Sequence, residues 1–279
     1  IKSRKINRLN VPIDADGYMP RIKSTVDPNR IVVYTMNRHQ DQLCLYAVNP
    51  RTTVAQLLIK ESVPKYVQES AVEAIKFVGN NIILPSDRSG FMNLYIYNMN
   101  GQLQRTIGGK FDITEVYGYD AKTGDVYYQA AALAPTDRQV YVNHKNGKTE
   151  RLTDAEGWNS ALFSGDYQYF INTWSDYNTP YVYTTRTRAG KVISTLQDNS
   201  QLRQTIKEYG FCKREAFSFT TSEGVTLNGW MLRPLDFDAS KRYPVIMHQY
   251  SGPGSQQVKN AWSAGSMGQG GAYDSYLAQ

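Results

Sequence analysis

The 279 residues hold 31 Lys and Arg against 25 Asp and Glu, a net charge of +6, with 21 Tyr and 12% aromatic residues. That length allows a sizeable core and two structural units, and many tyrosines with few helix-favouring runs point to a β-rich chain. The basic residues are scattered, and the one dense cluster, Lys2-Ser3-Arg4-Lys5 with Arg8, reads as a solvated terminus rather than a nucleic-acid surface. No apolar run is long enough for a membrane span, and no signal-peptide pattern opens the sequence. Cys44 and Cys212 are far apart and have no metal-ligand spacing, and His39, His144 and His248 complete no zinc motif. The sequence calls for no cofactor and no metal. Cys44, inside an apolar strand pattern, is expected to be a buried free thiol.

Residues 1–17 read as a connector. From there a pattern repeats, clearest at one strand: Leu43-Cys44-Leu45-Tyr46-Ala47-Val48, Asn93-Leu94-Tyr95-Ile96-Tyr97, Gln139-Val140-Tyr141-Val142 and Tyr181-Val182-Tyr183. A recurrence of about 40–50 residues with four strands per unit is the signature of propeller blades. A polar turn follows each of these strands, at Asn49-Pro50-Arg51, Asn98-Met99-Asn100-Gly101, His144-Lys145-Asn146-Gly147 and Arg186-Thr187-Arg188-Ala189-Gly190. Asn-Gly and similar pairs supply the positive φ of tight hairpins. A second set of turns, at Asp27-Pro28-Asn29, Gly79-Asn80-Asn81, Lys122-Thr123-Gly124 and Ser164-Gly165-Asp166, falls between the first and second strands of each unit. The spacing predicts blades over 18–62, 70–108, 112–153 and 158–197. No Trp-Asp dipeptide marks them, and a β-sandwich with coincident spacing is the competing architecture.

Asp198-Asn199-Ser200 can cap a helix over 201–209, ended by Gly210, with Leu202, Ile206 and Tyr209 on one face for packing between domains. The tail carries Gly265-Ser266-Met267-Gly268-Gln269-Gly270-Gly271. This follows no predicted strand, so it reads as a flexible or helix-leading loop rather than a phosphate cradle.

Between helix and tail lies Tyr243-Pro244-Val245-Ile246-Met247-His248-Gln249-Tyr250-Ser251-Gly252-Pro253. The apolar run Val245, Ile246, Met247 has the length of a buried strand, His248 continues it as a structural residue, and the Gly-Pro turn leaves Tyr250 at the strand's C-terminal end, where open α/β sheets bind ligands. This block resembles the start of the catalytic domain in the prolyl oligopeptidase family. It is closest to the dipeptidyl-peptidase IV branch, with Tyr-Pro, an apolar strand and Tyr-(Ala/Ser)-Gly-Pro. Upstream, Phe217-Ser218-Phe219-Thr220-Thr221-Ser222-Glu223-Gly224-Val225-Thr226-Leu227-Asn228-Gly229-Trp230-Met231-Leu232-Arg233-Pro234 matches the same family.

The resemblance implies a mainly β fold: about four blades of a partial propeller over 18–197, a helical linker over 198–215, and the first strands of an α/β-hydrolase domain over 216–279. It implies a serine exopeptidase releasing Xaa-Pro or Xaa-Ala dipeptides from peptide N-termini. It also implies a peptide substrate, the remainder of the same polypeptide as partner, a homodimer, and a periplasmic or secreted location. By the same resemblance Tyr250 donates its phenol hydroxyl to the oxyanion. Tyr18 reads first as a blade-packing aromatic; by the resemblance it also stands where the family has an aromatic that lines the substrate cleft from the propeller. The family's nucleophile sits in Gly-x-Ser-x-Gly, which these residues lack, and the paired glutamates that bind the substrate ammonium are also missing. The chain opens without Met and is expected to be an inactive piece of a longer protein. Two other functions fit the same residues: a non-catalytic propeller binding module, or a tripeptidyl, oligo- or acylaminoacyl peptidase.

Overall fold

A computed structural model describes residues 6–250, 252, 254–268 and 271–279. The basic cluster from Lys2 to Lys5 lies outside them. Strands come in runs of four. The first sheet takes β1 (Ile22–Ser24), β2 (Ile31–Met36), β3 (Gln42–Val48) and β4 (Ala55–Ser62), hydrogen-bonded in that order. The second takes β5 (Lys76–Val78), β6 (Asn81–Ser86), β7 (Asn93–Asn98) and β8 (Leu103–Ile107). The third holds β9 (Ile113–Asp120), β10 (Asp125–Ala130), β11 (Gln139–Asn143) and β12 (Thr149–Arg151). The fourth holds β13 (Trp158–Phe163), β14 (Tyr169–Ser175), β15 (Val182–Thr187) and β16 (Val192–Gln197). These are the four-stranded blades that the turn spacing predicts. The one displaced boundary is the second, where a short helix, α1 (Glu69–Glu73), precedes β5.

The chain divides into two compact units. The first runs through Val126 and takes in Asn143–Lys148; the second comprises Tyr127–Val142 and Thr149–Gln279. In the first unit the apolar residues of adjacent strands share one core. Val32, Tyr34, Leu43, Leu45, Ile59, Ile82, Leu84 and Tyr95 are all buried there, with Val72 of α1 against them. Because strand side chains alternate, Leu43, Leu45 and Ala47 of β3 point inward. Cys44 and Tyr46 fall on the other face and are only half-buried. The expectation of a buried Cys44 fails for that reason; the thiol is free, as is that of the buried Cys212. Two cations of the second sheet reach backbone carbonyls of the third. Lys76 Nζ donates to Val116 O at 2.6 Å, and Arg105 donates to His144 O at 2.7 Å and Gly124 O at 2.9 Å. Burial lowers the pKa of both.

One hairpin device occurs in both units. Gly101 closes the β7–β8 turn with φ +77, and a Cβ there would stand 2.0 Å from Leu58 O of β4. Gly190 closes the β15–β16 turn with φ +84, and a Cβ there would stand 2.3 Å from Leu152 O. Both the backbone angle and the close approach require glycine.

The second unit has a partly polar core. Gln129, Gln139, Thr153, Asn159 and Asn172 are buried beside Tyr127, Tyr128 and Phe170, and they bond to one another and to the main chain. Gln129 Nε2 donates to Asn159 O at 2.6 Å, Thr153 Oγ1 to Gln139 Oε1 at 2.7 Å, and Asn172 Nδ2 to Asn159 Oδ1 at 3.2 Å. Burial pushes the Tyr128 phenol up to about 12. The linker helix α2 spans Ser200–Glu208, as the capping residues predict, but none of its residues is buried. Of its apolar face, Leu202 and Tyr209 are exposed and Ile206 is half-buried. Beyond it, β17 (Arg214–Thr220) and β18 (Thr226–Leu232) form a hairpin, and α3 (Ala272–Leu277) follows the glycine-rich stretch. Gln269 and Gly270 of that stretch lie outside the described residues.

Candidate functional site

Tyr18 belongs to the first unit. Its N–H donates to Met36 O at 2.7 Å, and Met36 N–H returns a bond of 2.9 Å to Tyr18 O. This isolated bridge holds Tyr18 against the end of β2. The ring is half-buried, and the Arg38 guanidinium lies 5.4 Å from its centroid, within cation–π range. Elsewhere in this unit, Glu61 is buried and accepts from Ser86 Oγ and from Arg88 Nη2, while Arg88 lies 4.0 Å from the Tyr95 centroid and donates to Tyr97 Oη at 2.9 Å. Burial still raises the Glu61 carboxyl above the ordinary carboxylate range, so desolvation outweighs both hydrogen bonds.

Tyr250 belongs to the second unit, and its surroundings differ from the expectation. Val245, Ile246 and Met247 form no strand and are 87%, 64% and 83% exposed. His248 is likewise exposed and outside any strand. A buried strand needs neighbours for its N–H and C=O groups, and no described strand pairs with this run. Tyr250 itself is largely exposed. Its ring folds back across Gly252: a Cβ there would stand 2.6 Å from Tyr250 Cε1 and 2.8 Å from its hydroxyl oxygen. Ser251 and Pro253 lie outside the described residues. The main chain then turns, with Ser255 N–H donating to Gly252 O at 3.2 Å.

Downstream of that turn the chain is anchored. Gln256 Oε1 accepts from Arg138 Nη2 at 2.6 Å, and Gln256 Nε2 donates to Pro135 O at 2.8 Å. The Arg138 side chain also donates to Asp137 O at 2.7 Å and Pro135 O at 3.0 Å, and its guanidinium lies 4.4 Å from the Trp158 centroid. Lys259 Nζ lies 5.2 Å from the same ring. Asn260 takes three further bonds. Its N–H donates to Thr136 O at 2.9 Å, its Nδ2 donates to Asp137 Oδ1 at 3.2 Å, and its Oδ1 accepts from Tyr177 N–H at 3.0 Å. Trp262 N–H donates to Ser175 Oγ at 3.1 Å. The hairpin is tied to the tail by a buried Arg214–Asp274 pair at 3.4 Å, with the Arg214 guanidinium 4.0 Å from the Trp230 centroid.

A cleft of about 560 Å³ opens beside this anchor, lined by Leu133, Asp137, Arg151, Glu156, Tyr177 and Phe217 among others. Burial, then the Asp137 carboxylate, raises the Tyr177 phenol. Among the described residues no group of His, Cys, Asp or Glu could hold a metal ion, and no helix is long and apolar enough to cross a membrane. Sequence reasoning singled out Tyr18 and Tyr250, which lie in different units, but missed Arg138, Gln256 and Asn260. The only local signal was Arg138 at the entrance to a fully buried strand, where a cation needs a partner.

The model of the dipeptidyl peptidase IV N-terminal region matches residues 1–181. The chain belongs to this family. Its likeness to solved structures extends further. All of it superposes on the dipeptidyl peptidase 4 of Porphyromonas gingivalis with a TM-score of 0.92 and 37% identity, covering 39% of that chain. A putative dipeptidyl aminopeptidase IV from Bacteroides ovatus shares the fold at TM-score 0.80 and 23% identity, over 97% of this chain and 41% of that one. Among curated relatives, dipeptidyl peptidase 4 of Arthroderma otae is 31% identical over 64% of this chain and 24% of its own length. A probable dipeptidyl peptidase 4 of Aspergillus flavus is 28% identical over 84% of this chain and 32% of its own. The chain thus spans about a quarter to two fifths of the relatives it matches.

Proposed function

We propose that these residues form part of a serine exopeptidase of the dipeptidyl peptidase IV kind, acting on peptides with Xaa-Pro or Xaa-Ala at the N-terminus. The observation that carries this reading is the match of the whole chain to the Porphyromonas gingivalis enzyme at 37% identity. That match extends past the blades to the segment holding Tyr250. Residues 18–197 then supply blades of a propeller, 198–215 a linker, and 216–279 the opening of an α/β-hydrolase domain. The nucleophile, its acid and its base are assigned to the remainder of the polypeptide, because these residues contain no Gly-x-Ser-x-Gly. A periplasmic or secreted location and a homodimer rest on the resemblance alone.

In this reading Tyr250 is the oxyanion donor. Tyr250 is 62% exposed, and its hydroxyl oxygen lies beside Gly252 of the Gly-Pro turn. A second donor would be the backbone N–H that follows the nucleophile. A donor aimed at charge that develops only in the transition state lowers the barrier without tightening substrate binding. Tyr18, with its ring beneath Arg38, is assigned to the substrate cleft.

Tyr250→Phe in the full-length protein keeps the ring and removes the donor. The expected result is a loss of roughly 10²–10³ in kcat, about 3–4 kcal/mol, with KM little changed on a Gly-Pro chromogenic substrate. Wild-type kcat in that variant would make Tyr250 a packing residue, whereas no turnover by the full-length wild type would favour a non-catalytic binding module.

A further inference from the structure

We propose that Asn178 and Asn260 are positioning residues that hold the opening of the catalytic domain in register with the blades; this rests on the reading of residues 216–279 as that opening. The second compact unit takes in the fourth sheet together with the hairpin and the tail. No sheet joins them: among the described residues β17 pairs with β18 alone. Side chains make the join instead.

Asn260 enters from the tail and meets two blade loops at once. Its Nδ2 donates to Asp137 Oδ1 at 3.2 Å and its N–H to Thr136 O at 2.9 Å, both in the loop between β10 and β11. Its Oδ1 accepts from Tyr177 N–H at 3.0 Å, in the loop after β14. Asp137 is buried, and its other oxygen is committed to Gly157 N–H at 2.8 Å. Asn178 makes the reverse contact, from the loop after β14 to the hairpin. Its Nδ2 donates to Arg214 O at 3.1 Å, and its Oδ1 accepts from Arg214 N–H at 2.8 Å. One amide thus serves both main-chain groups of the first residue of β17, as a neighbouring strand would. Asparagine suits both places because its short side chain carries a donor and an acceptor. The circuit closes through the buried Arg214 side chain, which donates to Ala264 O at 2.6 Å, and through Trp262 N–H on the buried Ser175 hydroxyl at 3.1 Å. All of these residues superpose on the longer Porphyromonas gingivalis chain at TM-score 0.92, which supports the same placement of hairpin and tail in a chain that continues beyond them.

Register matters in the proposed reaction because the substrate spans the join. The blades contribute to its cleft and the nucleophile belongs to the hydrolase side. Contacts remote from the reacting bond then help only when the two sides are correctly spaced. A small activated ester needs the nucleophile alone.

The test compares two substrates in the full-length protein: a Gly-Pro chromogenic peptide, and p-nitrophenyl acetate, for which only the hydrolysis abolished by a serine-directed inhibitor is counted. Asn178→Ala and Asn260→Ala are each expected to lose about tenfold or more in kcat/KM on the peptide, as a misplacement approaching 1 Å would cause. Ester hydrolysis is expected to stay within about twofold of the wild type, since neither side chain serves the nucleophile. Asn178→Ala leaves the contacts of Asn260 in place, so it remains informative if Asn260→Ala does not fold. Equal losses on both substrates would make the two asparagines stabilising residues only and overturn the positioning role. Wild-type kcat/KM on the peptide in either variant overturns it too. If the wild type itself leaves the peptide uncut, the peptidase reading falls and this inference with it.

Discussion

Ile82, Ile83 and Leu84 in β6 and the run Val245, Ile246 and Met247 are made of the same kind of residue and have opposite surroundings. The first three are at most 1% exposed, between β5 and β7; the second three are 64–87% exposed with no strand beside them among the described residues. Full burial of such a side chain contributes about 1.5–3 kcal/mol relative to leaving it exposed. The β6 run has that contribution and the run before Tyr250 does not. An apolar run is thus only one side of a strand, and the partner supplies the other. In this chain the paired run carries stability, whereas the run before Tyr250 adds little to it.

The widest separation between the two runs should appear on truncation. Leu84→Ala is expected to destabilise the 279-residue chain by about 2–5 kcal/mol, through lost burial and the cavity left behind, read as a lower urea midpoint. A cost below about 1 kcal/mol would mean that the second sheet can collapse around the gap.

A subtler effect concerns the buried carboxyl in the same unit. The folded-state pKa of Glu61 lies above its ordinary value. The folded state therefore binds the proton more tightly than the unfolded one. The stability this confers is fully present below the ordinary carboxylate range and is lost as pH rises through the folded value. Urea midpoints from acid to neutral pH should show that decline in the wild type and a flatter profile in Glu61→Gln. Equal slopes would place the Glu61 carboxyl in a better-solvated setting than its burial indicates.

The smallest effect belongs to the other run. Ile246→Ala should change the stability of this chain by no more than about 0.5 kcal/mol, since an exposed side chain with no partner has little to lose. A loss comparable to that of Leu84→Ala would show that the run is packed after all, and would erase the contrast.

Much of the fold was legible because its cause is local. Turn chemistry at Asn98 to Gly101 and at Lys122 to Gly124, with alternation in β3, fixes where strands begin and end, and neighbouring strands in these sheets are neighbours in sequence. What escaped has a non-local cause. Arg138 and Gln256 are 118 residues apart, and no spacing rule joins an arginine in a blade to a glutamine in the tail. Cys44 was misplaced for a simpler reason: the apolar character of β3 was visible, but the face on which each residue falls depends on which neighbour covers it. Tyr250 could be singled out by its motif, while the contacts that anchor the tail beyond it could not.

The glycines at 101 and 190 bear on cooperativity. Each lets a hairpin turn of one blade rest directly on the backbone of the blade before it, so the contact is made by main chain and tolerates almost any side-chain change nearby. In arrays of repeated units, stability is close to a sum of what each repeat has alone and what it shares with its neighbour. These two positions belong to the shared part. A side chain there would leave each sheet able to form and would weaken the coupling that makes adjacent blades melt together.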